Sequence, residues 1–330
     1  MKPKEIADYI KEHKSLPPGI NNLEGLNLEG IDLSGADLSR ANLSKADLRD
    51  ANLRDTIFFK ADLSEALFNG ADISGADFTG ADLSQAHFNS VKAHAVGFGA
   101  AKLNGATFFE ADLQSSSFTK AELVGVDFRC ADMSACRLRE ADLRKADFTS
   151  SVLNYADLSM ANVAGARFDN ADIRHSKVIA ITGYEKASWI GTDIRDINFA
   201  GGYQLRRFIV DQNYLKEFRE KNLMCHIIYW IWYITSDCGR SMTRWMLWVT
   251  ALTLFFAWLY TVVGVDYGDY PTPISPLYFS VVTLTTLGYG DVVPKTITGQ
   301  LVAMIEVITG YLMLGGLLSI FSNKMARRAE

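Results

Sequence analysis

Apolar residues recur at every fifth position from Leu23 to Val178 with no insertion, which gives 32 consecutive five-residue units. Two residues before most of these centres stands Ala or another small or apolar residue. A period of five fits neither the α-helix, with 3.6 residues per turn, nor the alternation of a flat strand. Neither element can therefore gather this pattern on one face. A square coil with one unit per side can: each central side chain points inward. The residue two before it also points inward and must be small, because four such residues crowd one narrow axis.

The phrase "ADLSRANLSKADLRDANLR", Ala36 to Arg54, shows the unit in its plainest form. It resembles the pentapeptide-repeat family, A(D/N)LXX, over roughly residues 21–178. The resemblance implies a right-handed four-sided β-helix with four units per coil, hence eight coils. At about 4.8 Å between stacked strands, such a rod is about 38 Å long. From position 58 to 168, positions ending in 8 hold Phe at ten of twelve places, the exceptions being Leu138 and Leu158. A ten-residue spacing selects two opposite sides of the coil, so rings should pair across the axis and stack between layers as core filling. The phase fails at Gly183 and resumes one residue late at Trp189, Ile194 and Phe199, where the solenoid is expected to end or be capped. At the other end, Ile6, Tyr9 and Ile10 fall at helical spacing before Pro17-Pro18, as a short amphipathic helix covering the first coil would.

Residues 1–200 carry 22 Lys+Arg against 29 Asp+Glu, and residues 201–330 carry 11 against 9. Some pentapeptide-repeat proteins resemble duplex DNA in shape and charge. Here the acidic residues are interleaved with Lys and Arg, so outward polarity suffices to explain them and no nucleic-acid partner is expected. His87, His94 and His175 stand beside no nucleophile or carboxylate arrangement, and no enzyme is expected. Cys130, Cys136, Cys225 and Cys238 form no CxxC pair; Cys136 fills a small-residue slot and reads as a buried hydrophobe.

The second part changes character. Trp245 to Val265 is 21 residues without a charge, enough to cross a bilayer, and Thr296 to Ser322 is a second apolar stretch interrupted by Glu306. Arg240 and Arg244 precede the first, and Lys324, Arg327 and Arg328 follow the second. The bias predicts a cell (inner) membrane protein with two spans and both termini cytoplasmic. Between the spans, Pro276 is well placed to start a short helix, and Leu277 to Thr285 is apolar but too short to cross. It must return on the same side. Backbone leaving helical geometry at that depth needs protein or water around it.

Thr283, Thr286, Gly288, Tyr289, Gly290 and Asp291 form TxxTxGYGD, which resembles the potassium-channel selectivity filter, an arrangement known in general form as TVGYG. The resemblance covers about residues 244–322 and implies outer helix, pore helix, filter and inner helix in that order. By that resemblance the backbone around Thr286, Leu287, Gly288, Tyr289 and Gly290 forms the K+ site, with K+ as permeant ion and no cofactor. Thr283, Asp291, Tyr278 and Phe279 would support it, Tyr289 bracing against the last two. One loop supplies one quarter of a ring, so a homotetramer is implied. Asp266, Asp269 and Asp291 would concentrate cations at the mouth.

Two departures stand out. Many potassium channels carry Glu behind the filter where this chain has Val282, and Glu306 appears instead in the second span. An intramembrane carboxylate marks a functional site by default. Glu306 is expected to hydrogen-bond behind the pore helix, to a Thr hydroxyl, or else to line the cavity and attract K+. Gly310 matches the family's inner-helix hinge, and Tyr311, Leu314, Leu318 and Ser322 follow at helical spacing, with constriction near Leu318 to Ser322.

Leu205 to Lys221 reads as a charged amphipathic helix, and Leu223 to Thr235 as an apolar, aromatic segment lying at the membrane interface. The chain is thus read as a helical cap over 1–20, a cytosolic pentapeptide-repeat β-helix over 21–200, a connector over 201–243 and a pore domain over 244–330. The expected function is a potassium-selective channel whose rod assembles or gates it; the alternative is a membrane-tethered interaction scaffold with a non-conducting pore. No Arg-periodic voltage sensor precedes the pore and no nucleotide-binding domain is expected after it, so no gating ligand or protein partner is assigned.

Overall fold

The computed structural model describes residues 3–197, 199, 202–263, 265–268, 271–290 and 292–329. Asp269 and Asp291 lie outside the described residues. The chain forms two compact units, Met1–Lys216 and Glu217–Glu330.

In the first unit the chain returns to the same side after twenty residues. Isolated parallel bridges join Asn22 to Asn42, Asn27 to Asp47, and onward in steps of five to Asn162 and Thr182. Each coil is therefore four five-residue units. Every corner is a tight turn: the Ala41 N–H donates to the Leu38 carbonyl at 3.2 Å, and Arg40 between them has φ +60°. The same left-handed corner falls on Lys45, Asp50, Asp55, Lys60 and their successors, few of which are Gly. Placing an L-residue there costs about 1–2 kcal/mol. Two bonds offset that cost. The corner N–H donates to the next coil (Arg40 to the Phe59 carbonyl, 2.9 Å). The Asp or Asn before each centre accepts from the N–H two residues on, as Asp37 does from Ser39 at 2.9 Å and Asn42 from Ser44 at 3.0 Å. The Asp/Asn preference of the repeat is thus a local turn lock.

Inside, the alanines and the centres are buried throughout. Phe58, Phe78, Phe98 and Phe118 stack in one column, and Phe68 through Phe168 in another, with centroids 4.4 to 5.2 Å apart. Rings of opposite columns meet edge to face at 5.8 to 6.4 Å. Both are favoured aromatic geometries. Where Ser or Thr replaces Ala, the hydroxyl can find a carbonyl, as Thr56 does on Leu33 and Ser116 on Ala93, while the Ser176 hydroxyl is buried without a partner among the described residues. Cys136 does likewise on Leu113 at 3.0 Å, and burial pushes its thiol up to about 12, so it is chemically quiet.

The phase break does not end the rod. A short 3-10 turn, Tyr184–Lys186, absorbs one extra residue, and the bridges resume at a spacing of 21, from Arg167 to Ser188 and from Asp172 to Asp193. Gly183 permits this: at φ +73°, a Cβ there would lie 2.8 Å from the Ala164 nitrogen. Trp189 then tops the second Phe column, stacked 4.2 Å from Phe168.

Both rod ends are covered. At the start, helix α1 (Pro3–His13) buries Ile6 and Ile10, and the Lys14 carbonyl accepts from Asp37 N–H at 2.8 Å. At the end, helix α2 (Tyr203–Lys221) buries Leu205 and Ile209 against the core. Gln212 accepts from Trp189 N–H at 2.6 Å and donates to the Ala187 carbonyl; Asn213 accepts from Gly191 N–H at 2.7 Å and donates to the Trp189 carbonyl. Two side chains thus replace the next coil. The first part of α2 is a cap, a role that its charged composition did not suggest.

The second unit is helical: α3 (Leu223–Ser236), α4 (Met242–Val262), α5 (Ser275–Leu284) and α6 (Ile297–Ala329), with a two-residue ladder pairing β1 (Val265–Asp266) and β2 (Val293–Pro294) antiparallel. Asn222 caps α3, and three left-handed residues, Asp237, Cys238 and Gly239, turn the chain into α4, which Ser241 caps. Met242–Val262 and Ile297–Ser322 have mean hydropathies of 1.6 and 2.0 and the length to cross a bilayer. Large apolar side chains on both stand open to the surroundings, such as Leu247, Trp258, Leu312 and Leu318. The protein core of this unit is small, centred on Phe256, Tyr260 and Phe279.

Two expectations follow from the rod. Asn213→Ala removes the partner of Gly191 N–H and should destabilise the rod by about 1–3 kcal/mol, read as faster amide exchange at Gly191 and a lower melting temperature. Arg195, Arg49, Arg144 and Arg174 hold Asp193, Asp47, Asp142 and Asp172 below the ordinary carboxylate range, Asp193 at about 2. Unfolded Asp titrates near about 3.9, so this stabilisation is complete above that pH and is lost as pH falls towards about 2. The pairs are partly exposed and individually weak. Thermal unfolding of the rod should be nearly flat between pH 5 and 7, as set by these groups, and decline steeply only in that acid window.

Candidate functional site

The segment that resembles a channel filter follows α5. That helix starts with Pro at its second position, where a missing N–H costs nothing, and the Ser275 hydroxyl accepts from Thr272 N–H at 2.9 Å. Phe279, Ser280, Val282, Thr283 and Leu284 are buried along it, and Tyr278 and Val281 are exposed. At its end the Thr286 N–H donates to the Thr283 carbonyl and the Leu287 N–H to the Val282 carbonyl, each at 3.0 Å. These bonds seat the loop on the helix.

From there the backbone changes sense residue by residue. Thr286, Gly288 and Gly290 have φ of +57°, +48° and +78°, whereas Leu287 and Tyr289 stay in the ordinary negative range. Residues 285–290 are all exposed in the single chain, with Leu287 at 61% and Tyr289 at 66%. The carbonyls of Thr286, Leu287, Gly288 and Tyr289 accept no hydrogen bond from any described residue. A Cβ at Gly288 or Gly290 would meet nothing within 4 Å, so glycine serves backbone conformation there and not space.

Beneath this loop lies a buried carboxylate. Glu306, in α6, is fully enclosed. One of its oxygens accepts from the Tyr260 hydroxyl of α4 at 2.6 Å, the other from the Ser280 hydroxyl of α5 at 2.5 Å. Ser280 Oγ also lies 2.9 Å from the Thr253 carbonyl, and Tyr260 packs edge-on against Phe279 at 4.7 Å. Glu306 therefore joins three helices, and its partners are Ser and Tyr hydroxyls, with no Thr hydroxyl among them. The sequence marks Glu306 because a carboxylate in an apolar run needs a partner. It gives no means of choosing Tyr260, 46 residues away, over any other hydroxyl.

The remaining predicted residues are dispersed around this centre. Tyr289 is 66% exposed in the single chain, and the Phe279 ring packs against Tyr260. Gly310 lies under the end of α5: a Cβ there would stand 2.9 Å from the Leu284 carbonyl carbon and nearer still to its oxygen. Close approach alone is reason enough for that glycine. Tyr311, Leu314, Leu318 and Ser322 are exposed along α6. Asp266 is paired with Lys295, whose bond holds its carboxyl below the ordinary range. In the rod, His87 meets Thr107, His94 meets Asp112, and His175 stacks on Tyr155. Among the described residues no cluster suits a metal.

Comparison with known proteins divides the chain in the same way. Residues 248–327 match the ion-channel family, and 22–55, 56–92, 98–129 and 131–170 match pentapeptide repeats. The human voltage-gated potassium channel regulatory subunit KCNG1 is 35% identical over 80 residues, 23% of this chain and 16% of that protein. Probable potassium channel protein 2 of Methanocaldococcus jannaschii is 42% identical over 60 residues, 18% of this chain and 16% of that one. The match thus spans about a sixth of the length of these relatives. Among solved structures, HetL, a pentapeptide-repeat protein of the cyanobacterium Nostoc, is 26% identical with a TM-score of 0.29, covering 54% of this chain and 93% of its own. This chain is a membrane protein that joins an N-terminal pentapeptide-repeat domain to a two-span pore domain of the potassium-channel type.

Proposed function

We propose that the protein is a potassium-selective channel. In this reading α4 is the outer helix, α5 the pore helix, residues 286–290 the filter and α6 the inner helix of a homotetramer. The rod is a right-handed four-sided β-helix on the cytoplasmic side, and the chain divides at residues 20, 200 and 243. The observation that carries the reading is the row of four carbonyls from Thr286 to Tyr289 that have no partner among the described residues. Buried or membrane-embedded carbonyls need partners, and alternating signs of φ turn successive carbonyls towards a common side. A ring of four such rows offers oxygens in place of a cation's hydration shell, and K+ is the ion that this resemblance implies. Leu287, where Val or Ile is commoner, contributes only its carbonyl. Thr283 and Asp291 support the loop, and Gly310, Leu314, Leu318 and Ser322 form hinge and gate.

Glu306 supports the filter from behind in this account, by fixing α5 through Ser280 and α4 through Tyr260. An amide can do the same work: its NH2 donates to Ser280 Oγ, Ser280 donates to the Thr253 carbonyl, and Tyr260 donates to the amide oxygen. An apolar side chain leaves two buried hydroxyls without acceptors, at about 1–3 kcal/mol each.

A second reading is favoured by the relatives named as regulatory subunits. The pore domain would then enter a channel assembly without conducting by itself, and the rod would act as an interaction scaffold. Both readings place the protein in a channel or channel-regulatory assembly.

Purified protein in liposomes separates them. The channel reading expects K+ flux with Na+ flux at least tenfold lower by the flux ratio typical of order-of-magnitude discrimination of about 1.4 kcal/mol, and loss of both flux and selectivity in Gly288→Ala. Absence of K+ flux from a well-folded tetramer supports the regulatory reading; equal K+ and Na+ flux defeats selectivity. In the same assay Glu306→Gln should keep the ion preference, and Glu306→Leu should lose it together with thermal stability.

A further inference from the structure

Helix α6 is held to α4 on both sides of Gly310. Four residues before the glycine, Glu306 takes the hydroxyls of Tyr260 and Ser280. Beyond it lies a second contact that no motif marks. Trp245, in the first turn of α4, donates its indole N–H to the Met313 carbonyl of α6 at 3.2 Å. Its ring lies on Gly316, where a Cβ would overlap Cζ2 and Cη2 of the indole. Trp245 is 8% exposed, whereas the next residues, Met246, Leu247 and Trp248, are 41 to 69% exposed. The ring is therefore taken into the protein on a helix whose neighbouring side chains face outward. Gly316 supplies the notch, and the Met313 carbonyl has a second lone pair to offer beyond its helical bond.

The two clamps are unequal. Glu306 makes two short bonds to two helices in a fully enclosed site. Trp245 makes one longer, neutral bond near the start of α4. If α6 bends at Gly310, the filter-side clamp can stay closed while the other must break. We propose that Trp245 is a positioning residue for the pore: its indole latches α6 to the start of α4 just beyond Gly310, and bending of α6 requires the latch to open. The proposal rests on the reading of α6 as the helix that lines the ion path. Trp245 follows the Asp237–Ser241 turn by four residues, so the latch lies one helical turn from the connection between α3 and α4.

The test uses the full chain with its four cysteines replaced. Spin labels at Leu247→Cys and Phe321→Cys, both on exposed positions, report the distance between α4 and α6 within one chain when the labelled protein is diluted with an excess of unlabelled protein before assembly. Trp245→Phe keeps an aromatic ring and loses the N–H; Gly316→Ala displaces the ring. Loss of one neutral hydrogen bond should raise the population of a longer distance about fivefold. K+ flux in liposomes should rise by a similar factor with the K+/Na+ ratio unchanged. An unchanged distance distribution in both variants overturns the latch, and so does a changed ion ratio at constant flux, which would assign Trp245 to filter support. Should Gly316→Ala fail to fold, Trp245→Phe decides alone. If no variant conducts, including the parent, the channel reading fails, and the distances still decide the latch.

Discussion

Every backbone N–H and C=O taken out of water must find a partner, and both units of this chain are organised by that requirement. In the rod the partner is the next coil, twenty residues on, and each corner is held in a left-handed conformation so that its N–H can reach it. The rule explains the ends as well as the middle. A stack of coils leaves an open edge at each terminus, and open edges invite unwanted pairing. Helix α1 covers one, and at the other Gln212 and Asn213 answer four backbone groups of the last coil, at Ala187, Trp189 and Gly191. In the membrane unit the helices satisfy themselves, whereas the carbonyls of residues 286–289, on a loop seated by the Val282 and Thr283 carbonyls, accept no hydrogen bond from the described residues.

The second unit has a small core of its own, and many of its large apolar side chains stand open in the single chain. Its internal order therefore depends on a few specific polar contacts. Glu306 ties α4, α5 and α6 at one point. Gly310 lets α6 approach the Leu284 carbonyl, two residues before Thr286, so α6 packs directly against the base of the loop. Trp245 makes the third contact, on the far side of the glycine. The three contacts fall at different points along α6, so substitutions can address them one at a time.

Much of the rod was legible because its constraint is periodic. Any five-residue repeat with an apolar centre and a small companion leaves the chain one way to bury both, and the Phe columns follow from a ten-residue spacing on a four-unit coil. The sequence shows the phase break at Gly183 and its return at Trp189 but not the cause: a 3-10 turn, Tyr184–Lys186, takes up one residue, and the Trp189 ring still stacks on Phe168. The charged helix after it was read as a connector because Gln212 and Asn213 look like ordinary surface residues. Only their placement against the last coil shows what they replace.

In the membrane unit the sequence by itself determined the two spans, the short helix between them, the GYG loop and the presence of one carboxylate needing a partner. Length, hydropathy and glycine content are local properties, and local properties are what a sequence displays. The tertiary structure decided which hydroxyls meet Glu306, why Gly310 and Gly316 are glycines, and that Trp245 reaches α6. Those are pairings between residues 26 to 71 positions apart, set by how helices pack and by which polar groups would otherwise be buried alone.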